Sequence, residues 1–375
     1  MDKRRGHNEG SVYFDKSKDR WVAAITIEPG KRKKFYFEKK ADALKKKNDA
    51  LRELEQGTLA VGGQRKLGEF LMNWLENVHK ENLRISTYVK YKKLAKYIVD
   101  DLGDVWLQKL TPEQVQQFYA KKRKDGLSSK TVHEIHALLH LALKHAVRWS
   151  YVSRNICDLL DPPRVVSRKG TPLTVEQAKV LVESLKGHRL ELVVMTAIVT
   201  GMRRGEILAL RWADVDMDRR VLVVLHTVDY IYPFGYVETD PKTKTGKRLI
   251  DLPEFYITLL KKHKVTQDRQ RRKAGEKWEN RDLVFPDMTG GFMSPSHLDD
   301  DFGKLVNDAG LPHLPFHDLR HSAATILISM GIHAKVIQEL LGHSDISVTL
   351  GIYGHLFPTM GQGVAEKWDG VFGEN

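Results

Sequence analysis

Disulfide bonds, a secretory signal and a membrane-spanning segment all lack a basis in this sequence. Its 375 residues include a single cysteine, Cys157, so no intramolecular disulfide can form and a reducing compartment is expected. The charged residues 1–10 are followed by no apolar run of the kind that a signal peptide requires. The longest apolar stretch, residues 192–201, is far shorter than the roughly 20 residues that cross a bilayer. We therefore expect a soluble, intracellular protein in which this stretch is a buried helix.

Positive charge is in excess, but only in one part of the chain. The formal net charge is +13. Residues 1–56 carry 16 Lys and Arg against 10 Asp and Glu, residues 64–165 carry 18 against 11, and residues 166–375 carry 27 of each. A surface that only maintains solubility is the alternative interpretation. Confinement of the excess to the first 165 residues favours a polyanion-binding part joined to a neutral catalytic or regulatory part.

Residues 1–60 predict a small domain in which a three-stranded antiparallel sheet is followed by one helix. The runs SVYF, WVAAITI and KKFYFE are rich in β-branched and aromatic residues, and polar turns separate them. The helix predicted over residues 41–56 has one apolar stripe, which consists of Ala43, Leu44, Ala50, Leu51 and Leu54. We expect the sheet aromatics to pack on this helix rather than reach a nucleic-acid groove; they are Tyr13, Trp21 and Tyr36.

Residues 64–162, after a Gly-containing connector, predict an all-helical domain. Ser86 is a candidate N-cap, and Thr111 with Gln114 matches a capping box. The basic residues of this domain are spaced to line phosphates rather than to form ion pairs, with a solvated face as the alternative. They are Lys90, Lys92, Lys93, Lys96 and the run from Lys121 to Lys124.

Four histidines of the helical domain lie near helical spacing, which raises the question of a metal site. No cysteine accompanies them, and Glu134 is the one carboxylate among them. Partly buried or surface histidines are therefore favoured over metal ligands. The four are His133, His136, His140 and His145.

The Pro- and Gly-containing segment 161–172 marks a second boundary, beyond which residues 171–375 predict a mainly helical domain with a small β-sheet. Thr174 and Gln177 form another capping box, and the run VLVVL predicts a strand. The segment YVETDPKTKTGKRLIDLP predicts two strands around a lysine-rich turn. The fold class is therefore multidomain α+β.

Candidate chemistry is concentrated near the end of the chain. His317 and Arg320 lie three residues apart at the start of a predicted helix, on one face near its positive end, where anions bind. His343 ends the next helix, and Tyr353 follows 10 residues later. Arg203, after an interior helix, is either a cap or a fixed donor aimed into a cleft. A tyrosine oxygen with fixed cations and donors is suited to metal-free attack on a phosphodiester.

Zinc is the rival interpretation, because HDLRH places two histidines at i and i+4. The zincin pattern has glutamate in the second position, where this chain has Asp318. Arg320 would also place a cation beside the metal dication. The sequence therefore argues against a metal site.

These pieces resemble the catalytic domain of tyrosine recombinases of the phage integrase family, over about 180 residues from Thr171 to Tyr353. The matching segments are TGMRRGEILAL, PKTKTGKR, HDLRHSAAT, LLGHSDISVT and GIYGH. The helical segment resembles the core-binding domain of the family by position and pattern. Residues 1–60 resemble its arm-type DNA-binding domain. The resemblance thus implies domains at 1–60, 64–162 and 171–375.

The resemblance also implies a role for each residue. Tyr353 would be the nucleophile that forms a 3′-phosphotyrosyl link, while Arg203 and Arg320 clamp the phosphate. His343 would donate a hydrogen bond to the phosphate, and His317 would assist proton transfer from the tyrosine. A lysine of the predicted turn would protonate the leaving 5′-oxygen; Lys242 is preferred from its PKT context, and Lys244 is the alternative. Because the link conserves bond energy, neither ATP nor a metal or other cofactor is implied.

The function that follows is a site-specific recombinase that integrates or excises a phage or other mobile element. A type IB topoisomerase and a non-catalytic DNA-binding regulator on the same fold are the alternatives. The implied partners are double-stranded DNA at core and arm sites, three further copies in a tetramer, and an accessory protein for directionality or DNA bending. We expect the protein to be cytoplasmic and associated with the nucleoid.

Overall fold

The computed structural model describes residues 10–28, 31–55, 64–165, 172–241 and 246–353. The chain forms two compact units, Met1–Ser167 and Arg168–Asn375. Among the described residues, no helix has the length and apolarity needed to cross a membrane.

The amino-terminal sheet confirms the predicted meander and its helix. Strands β1 (Ser11–Asp15), β2 (Arg20–Glu28) and β3 (Lys31–Phe37) pair antiparallel in the order β1-β2-β3, and α1 spans Lys40–Glu55. Ala50 of α1 packs on Ile25 of β2. The predicted stripe is wrong at Leu44, which is exposed, since the contact surface of this small sheet is narrower than the stripe.

The sheet tyrosines do not pack on α1 as predicted. Val22 lies opposite Tyr13 on one side and Tyr36 on the other, so the three side chains share one face. The neighbouring Phe35 joins the cluster under α1 and therefore marks the other face. Tyr13 and Tyr36 are accordingly exposed.

Four helices form the predicted helical segment: α2 (Leu67–Trp74), α3 (Ile85–Leu102), α4 (Pro112–Lys124) and α5 (Ser129–Arg148). The predicted capping box of Thr111 and Gln114 opens α4, because each side chain accepts from the other's backbone N–H, at 3.3 and 3.1 Å. Ser86 was predicted as the N-cap of α3, but the helix begins at Ile85 and its N-cap is Arg84, so Ser86 lies inside the first turn. The core of this segment contains the fully buried Trp74.

The expectation that the lysines avoid ion pairs is wrong for half of those named. Lys90 meets Glu134 at 2.8 Å, and Lys92 meets Glu76 at 3.4 Å. Asp101 lies 2.9 Å from each of Lys121 and Lys122, and Lys122 is buried. Helix packing brings these carboxylates to the lysines from distant parts of the sequence, which spacing along one helix does not reveal.

The four α5 histidines have structural partners. His136 Nδ1 lies 3.0 Å from the Tyr119 hydroxyl, and His140 Nε2 lies 2.8 Å from Asp158. No group of three or more His, Cys, Asp and Glu side chains in the described ranges is arranged to hold a metal ion.

The second unit is mainly helical around one large apolar core. Its helices are α6 (Val175–Ser184), α7 (Glu191–Thr200), α8 (Arg204–Leu208), α9 (Glu254–Ala274), α10 (Pro295–Asp308), α11 (Leu319–Ser329), α12 (Ala334–Leu341) and α13 (Ile346–Tyr353). The apolar α7 is interior, as predicted, and ends at Gly201, whose φ is +60°. A Cβ at Gly201 would lie 2.5 Å from a Leu341 methyl carbon, so glycine is required at this crossing.

The strands of this unit form two small sheets. Strands β4 (Val215–Asp216), β5 (Val221–Val224) and β8 (Arg248–Asp251) have the order β4-β5-β8, while β6 (Thr227–Ile231) pairs with β7 (Gly235–Thr239). The two strands predicted around the lysine-rich turn exist as β7 and β8, but they lie in different sheets and do not pair with each other. A short turn joins β6 to β7, so these two strands pair with each other, and β8 pairs with β5 instead.

Candidate active site

The Tyr353 hydroxyl is held by a histidine that the sequence argument left without a role. Tyr353 ends α13 with 3% of its surface exposed, and its Oη lies within hydrogen-bond distance of His321 Nδ1. Burial raises the pKa of Tyr353 to about 12, although the nearby Arg320 acts in the opposite direction. The pKa of His321 is lowered, mainly by burial. A neutral His321 is thus available to accept the Tyr353 proton.

Arg320 is more deeply buried than Arg203, the other predicted arginine. It is the second residue of α11, and its side chain crosses the unit to bond two helix ends. Nη1 donates to the Gly201 carbonyl at 2.7 Å and Nη2 to the Leu341 carbonyl at 2.5 Å. Burial and the charge of Arg203 both lower its pKa. Arg320 therefore joins the ends of α7 and α12 with a buried positive charge.

Arg203 is fixed by an acidic neighbour rather than by the carbonyls of the preceding helix. It is the N-cap of α8, and Glu206 closes the cap by accepting from the Arg203 backbone N–H at 2.9 Å. The Arg203 guanidinium also donates to the other Glu206 oxygen at 2.7 Å. The Arg203 side chain is 40% exposed and that of Glu206 is 2% exposed. A buried carboxylate thus orients an accessible guanidinium.

Glu206 stays ionised although it is buried. Desolvation alone would raise the pKa of its carboxyl, but the guanidinium groups of Arg248 and Arg203 outweigh that effect and lower the pKa. Arg248 donates to Glu206 at 2.9 Å.

His343 lies two residues beyond the end of α12, after Gly342 has reversed the chain with φ +66°. Its Nδ1 lies 2.8 Å from the Thr349 hydroxyl, and Gln338 donates to its backbone carbonyl at 3.1 Å. Burial, followed by the charges of Arg320 and Arg203, lowers its pKa to about 4. At neutral pH, His343 is therefore an uncharged hydrogen-bond donor.

His317 lies in a short 3-10 helix, Phe316–Asp318, that leads into α11. Its ring stands perpendicular to that of His321, with the ring centres 6.2 Å apart. Desolvation and the charge of Arg320 lower its pKa. His317 is therefore a neighbour of His321, the residue that contacts Tyr353. Lys242 and Lys244 both lie outside the described residues.

The structure thus brings together residues from four separate segments. Arg203, Arg320, His343 and Tyr353 are close enough that the charge of Arg320 affects the pKa of His343 and of Tyr353, while Arg203 affects that of Arg320. A buried nucleophilic oxygen beside two guanidinium groups and neutral imidazoles is suited to attack on a phosphodiester, whose transition state carries extra negative charge.

Three residues of the site were not predicted from the sequence. His321 directly follows Arg320 in the HDLRH motif, so its place on the histidine-rich face was visible. Glu206 lies three residues after Arg203, the spacing of a cap with its acidic partner. Arg248 ends the PKTKTGKR segment, but nothing local revealed its bonds to Glu206 and Leu340, which are 42 and 92 residues away along the chain.

Comparisons with known proteins identify the family of the chain. Residues 172–360 match the model of the phage integrase family, and residues 66–123 match the model described as the phage integrase N-terminal SAM-like domain. A tyrosine recombinase XerC-like protein of Caldanaerobacter subterraneus subsp. tengcongensis is 31% identical, covering 96% of this chain and 98% of that protein. The chain belongs to the phage integrase family.

Two further comparisons place the enzyme among integrases. The ICEBs1 integrase of Bacillus subtilis is 27% identical over 79% of this chain and 82% of its own. The Tn1549 transposon integrase, solved with transposon right-end DNA, has the same fold: the TM-score is 0.68 at 22% identity, covering 82% of this chain and all of that one. The enzyme is therefore a tyrosine recombinase of the integrase type.

Proposed function

We propose that this recombinase cleaves one DNA strand by attack of Tyr353 Oη on the scissile phosphate. The Oη–P bond forms as the P–O5′ bond breaks, which leaves a 3′-phosphotyrosyl link and a free 5′-hydroxyl. Attack by the 5′-hydroxyl of a second DNA then reverses the step and joins the strands without ATP. The observation that carries the proposal is the buried Tyr353 hydroxyl beside His321 and Arg320.

The arginines and His343 would stabilise the charge that develops on the phosphate. Arg203 offers an accessible guanidinium oriented by Glu206, and Arg320 supplies a buried charge at the junction of α7 and α12. His343 would donate to a non-bridging oxygen in its neutral form. Donors fixed before the reaction need no reorganisation, which is why such clusters accelerate acyl and phosphoryl transfer.

The proton of Tyr353 would pass first to His321, since that ring contacts Oη. His317 remains a second candidate for this step, because it is adjacent and also neutral. The imidazole that forms a cation would then strengthen the field around the phosphate.

We propose Lys242 as the general acid that protonates the leaving 5′-oxygen, with Lys244 as the alternative. A 5′-thiolate leaves without protonation, so a substrate with 5′-sulfur at the scissile bond should restore cleavage to the variant that lacks the true acid. Rescue of Lys242→Ala and not of Lys244→Ala is expected. The reverse pattern would move the assignment to Lys244.

We further propose that the enzyme binds DNA with three domains. Residues 1–60 would bind arm sites, residues 64–162 core sites, and residues 171–375 would carry out catalysis. The split of the chain at Ser167 supports the limit before the catalytic domain, and the match over 66–123 supports a separate domain after the connector. The exposed Tyr13 and Tyr36, with Lys18 over the Tyr36 ring at 4.5 Å, give the first domain an open face for DNA. Deletion of 1–60 should abolish arm-site binding while core-site cleavage persists.

On DNA, we propose a homotetramer that works in the cytoplasm at the nucleoid, assisted by a directionality or DNA-bending protein. For the segment from Pro358 to the carboxyl terminus, which lies outside the described residues, the alternatives are a cap on its own domain and docking on a neighbouring copy. If it docks on a neighbouring copy, deletion of this segment should impair recombination more than binding of one copy to DNA; equal losses would argue for docking within the same chain.

The test of the proposed function is a nicked suicide duplex that carries the attachment-site core, from which the short 5′-hydroxyl strand diffuses away after cleavage. A covalent protein–DNA adduct is expected, and Tyr353→Phe should abolish it. Tyr236→Phe, at an exposed tyrosine of β7, is the matched control and should form the adduct normally. An adduct that survives Tyr353→Phe would overturn the assignment.

A further inference from the structure

The Arg248 side chain makes three hydrogen bonds, although pairing within the sheet needs only the backbone of this residue. It is the first residue of β8, and its side chain is 6% exposed. Nε donates to the Leu340 carbonyl at 2.6 Å, Nη1 to the Gly246 carbonyl at 3.1 Å, and Nη2 to Glu206 at 2.9 Å. One guanidinium therefore joins a strand, the cap of α8 and the end of α12.

Each distant bond leads to a residue of the proposed site. Glu206, besides meeting Arg248, accepts from the backbone and the guanidinium of Arg203. The Leu340 carbonyl lies one residue before that of Leu341, which accepts from Arg320. The same helix end leads into His343. Displacement of Arg248 would thus move both Arg203 and the end of α12.

The chemistry of this position favours arginine over any other cation. Its three bonds leave from three different nitrogens, which a guanidinium provides and a lysine ammonium, with its single nitrogen, does not. The Arg248 charge also compensates the buried Glu206, which would otherwise tend to take up a proton and release Arg203. Arg248 itself is separated from solvent, so it acts through these neighbours.

We infer that Arg248 is a positioning residue that aligns Arg203 and the α12 end with the scissile phosphate. The inference rests on the proposed function, since it assumes that Arg203 and Arg320 bind that phosphate. It predicts a defect in the rate of strand cleavage that depends on the negative charge of the phosphate, with DNA affinity retained.

The test compares two suicide duplexes of the same attachment-site core, one with the natural phosphate and one with a neutral methylphosphonate at the cleavage position. At saturating DNA, Arg248→Met should slow adduct formation on the phosphate by about tenfold to a hundredfold, the range seen when a supporting group is lost or a reacting group is misplaced. On the methylphosphonate the loss should shrink to about threefold or less, because misaligned arginines matter less when no anion is present.

Two variants complete the design. Arg248→Lys keeps the charge but reaches fewer partners, so its defect should lie between those of the wild type and Arg248→Met. Arg219→Met removes an exposed arginine from the turn between β4 and β5 of the same sheet and should change both rates by less than about twofold.

Equal losses on the two duplexes, or no loss on the phosphate, would overturn the inference, because a merely structural role does not distinguish the substrates. If thermal unfolding shows that Arg248→Met is not folded, the same comparison is made with Arg248→Lys. Failure of the wild type to form any adduct would instead contradict the proposed function, so the two failures are distinguishable.

Discussion

In the helical segment of residues 64–165, Lys92 and Lys96 lie exposed on α3, whereas in the catalytic unit Arg320 and Arg248 are buried and bonded to backbone carbonyls. The first region carries a net excess of seven basic residues, 18 against 11, and the second carries none. Yet the neutral region holds the cations that affect the pKa values of Tyr353 and His343.

The difference separates affinity from chemistry. Exposed lysines on flexible stems give a sequence-tolerant attraction to phosphates that salt screens. Buried guanidinium groups do not appear in the net charge of residues 166–375, because equal numbers of basic and acidic residues cancel there. Fixed donors of this kind are suited to one phosphate in its transition state. Counting charges therefore draws attention to the first region and overlooks the candidate active site.

Substitution of Arg320 should have the largest effect in this comparison. Arg320→Met removes a fixed cation from the phosphate and leaves two buried carbonyls, of Gly201 and Leu341, without their donor. Adduct formation at saturating DNA should fall by about a thousandfold, and the free energy of unfolding by about 2 kcal/mol or more. Single-turnover cleavage and urea unfolding measure the two effects. A variant that cleaves normally but binds DNA weakly would place Arg320 with the affinity residues.

Substitution of His321 should have the next largest effect, because its ring contacts the nucleophile. His321→Gln should slow cleavage by about a hundredfold, as loss of a general base does. His317→Gln is the matched comparison, since the two rings are adjacent. A larger loss for His317→Gln in single-turnover assays would return the proton-transfer role to His317.

The pH dependence of cleavage gives a second view of the same residue. The pKa of His321 lies below its ordinary value of 6.5, so the neutral, proton-accepting form predominates at neutral pH. The rate should stay constant as pH falls towards 6.5 and decline only as the pH passes through the lowered pKa. A decline that is complete above pH 6.5 would contradict this environment for His321.

The smallest expected effects are those on the salt dependence of DNA affinity, which should differ between a paired and an unpaired lysine. Lys92 is paired with Glu76, whereas Lys96 has no carboxylate partner among the described residues. Lys96→Ala should reduce the slope of log Kd against log salt by about 0.9, the value for one phosphate contact, and leave cleavage at saturation unchanged. Lys92→Ala should change the slope less. Equal changes would show that the Glu76 pair breaks on DNA.

Much of the site was predictable because its residues are close in sequence. Four of the predicted residues fall within 37 residues, on or directly beside helices whose caps and apolar spacing are local features; they are His317, Arg320, His343 and Tyr353. The three-stranded amino-terminal sheet and its helix were likewise readable from β-branched runs and turns. Local patterns determine such elements, so the sequence indicates them directly.

The rest depended on packing between distant segments. The ion pairs of Lys92 and Lys122 arise where helices meet, and β8 pairs with β5 whereas β7 pairs with β6. Arg248 has its role only once Glu206 and the end of α12 lie beside it. No spacing rule along one element contains this information.

The identity of the covalently linked residue tests the central claim most directly. The wild-type enzyme is trapped on the suicide duplex, digested with protease and nuclease, and the nucleotide-bearing peptide is sequenced by mass spectrometry. The account predicts that one nucleotide is joined through its 3′-phosphate to Tyr353, in the peptide that contains GIYGH. A nucleotide linked to any other residue would contradict it.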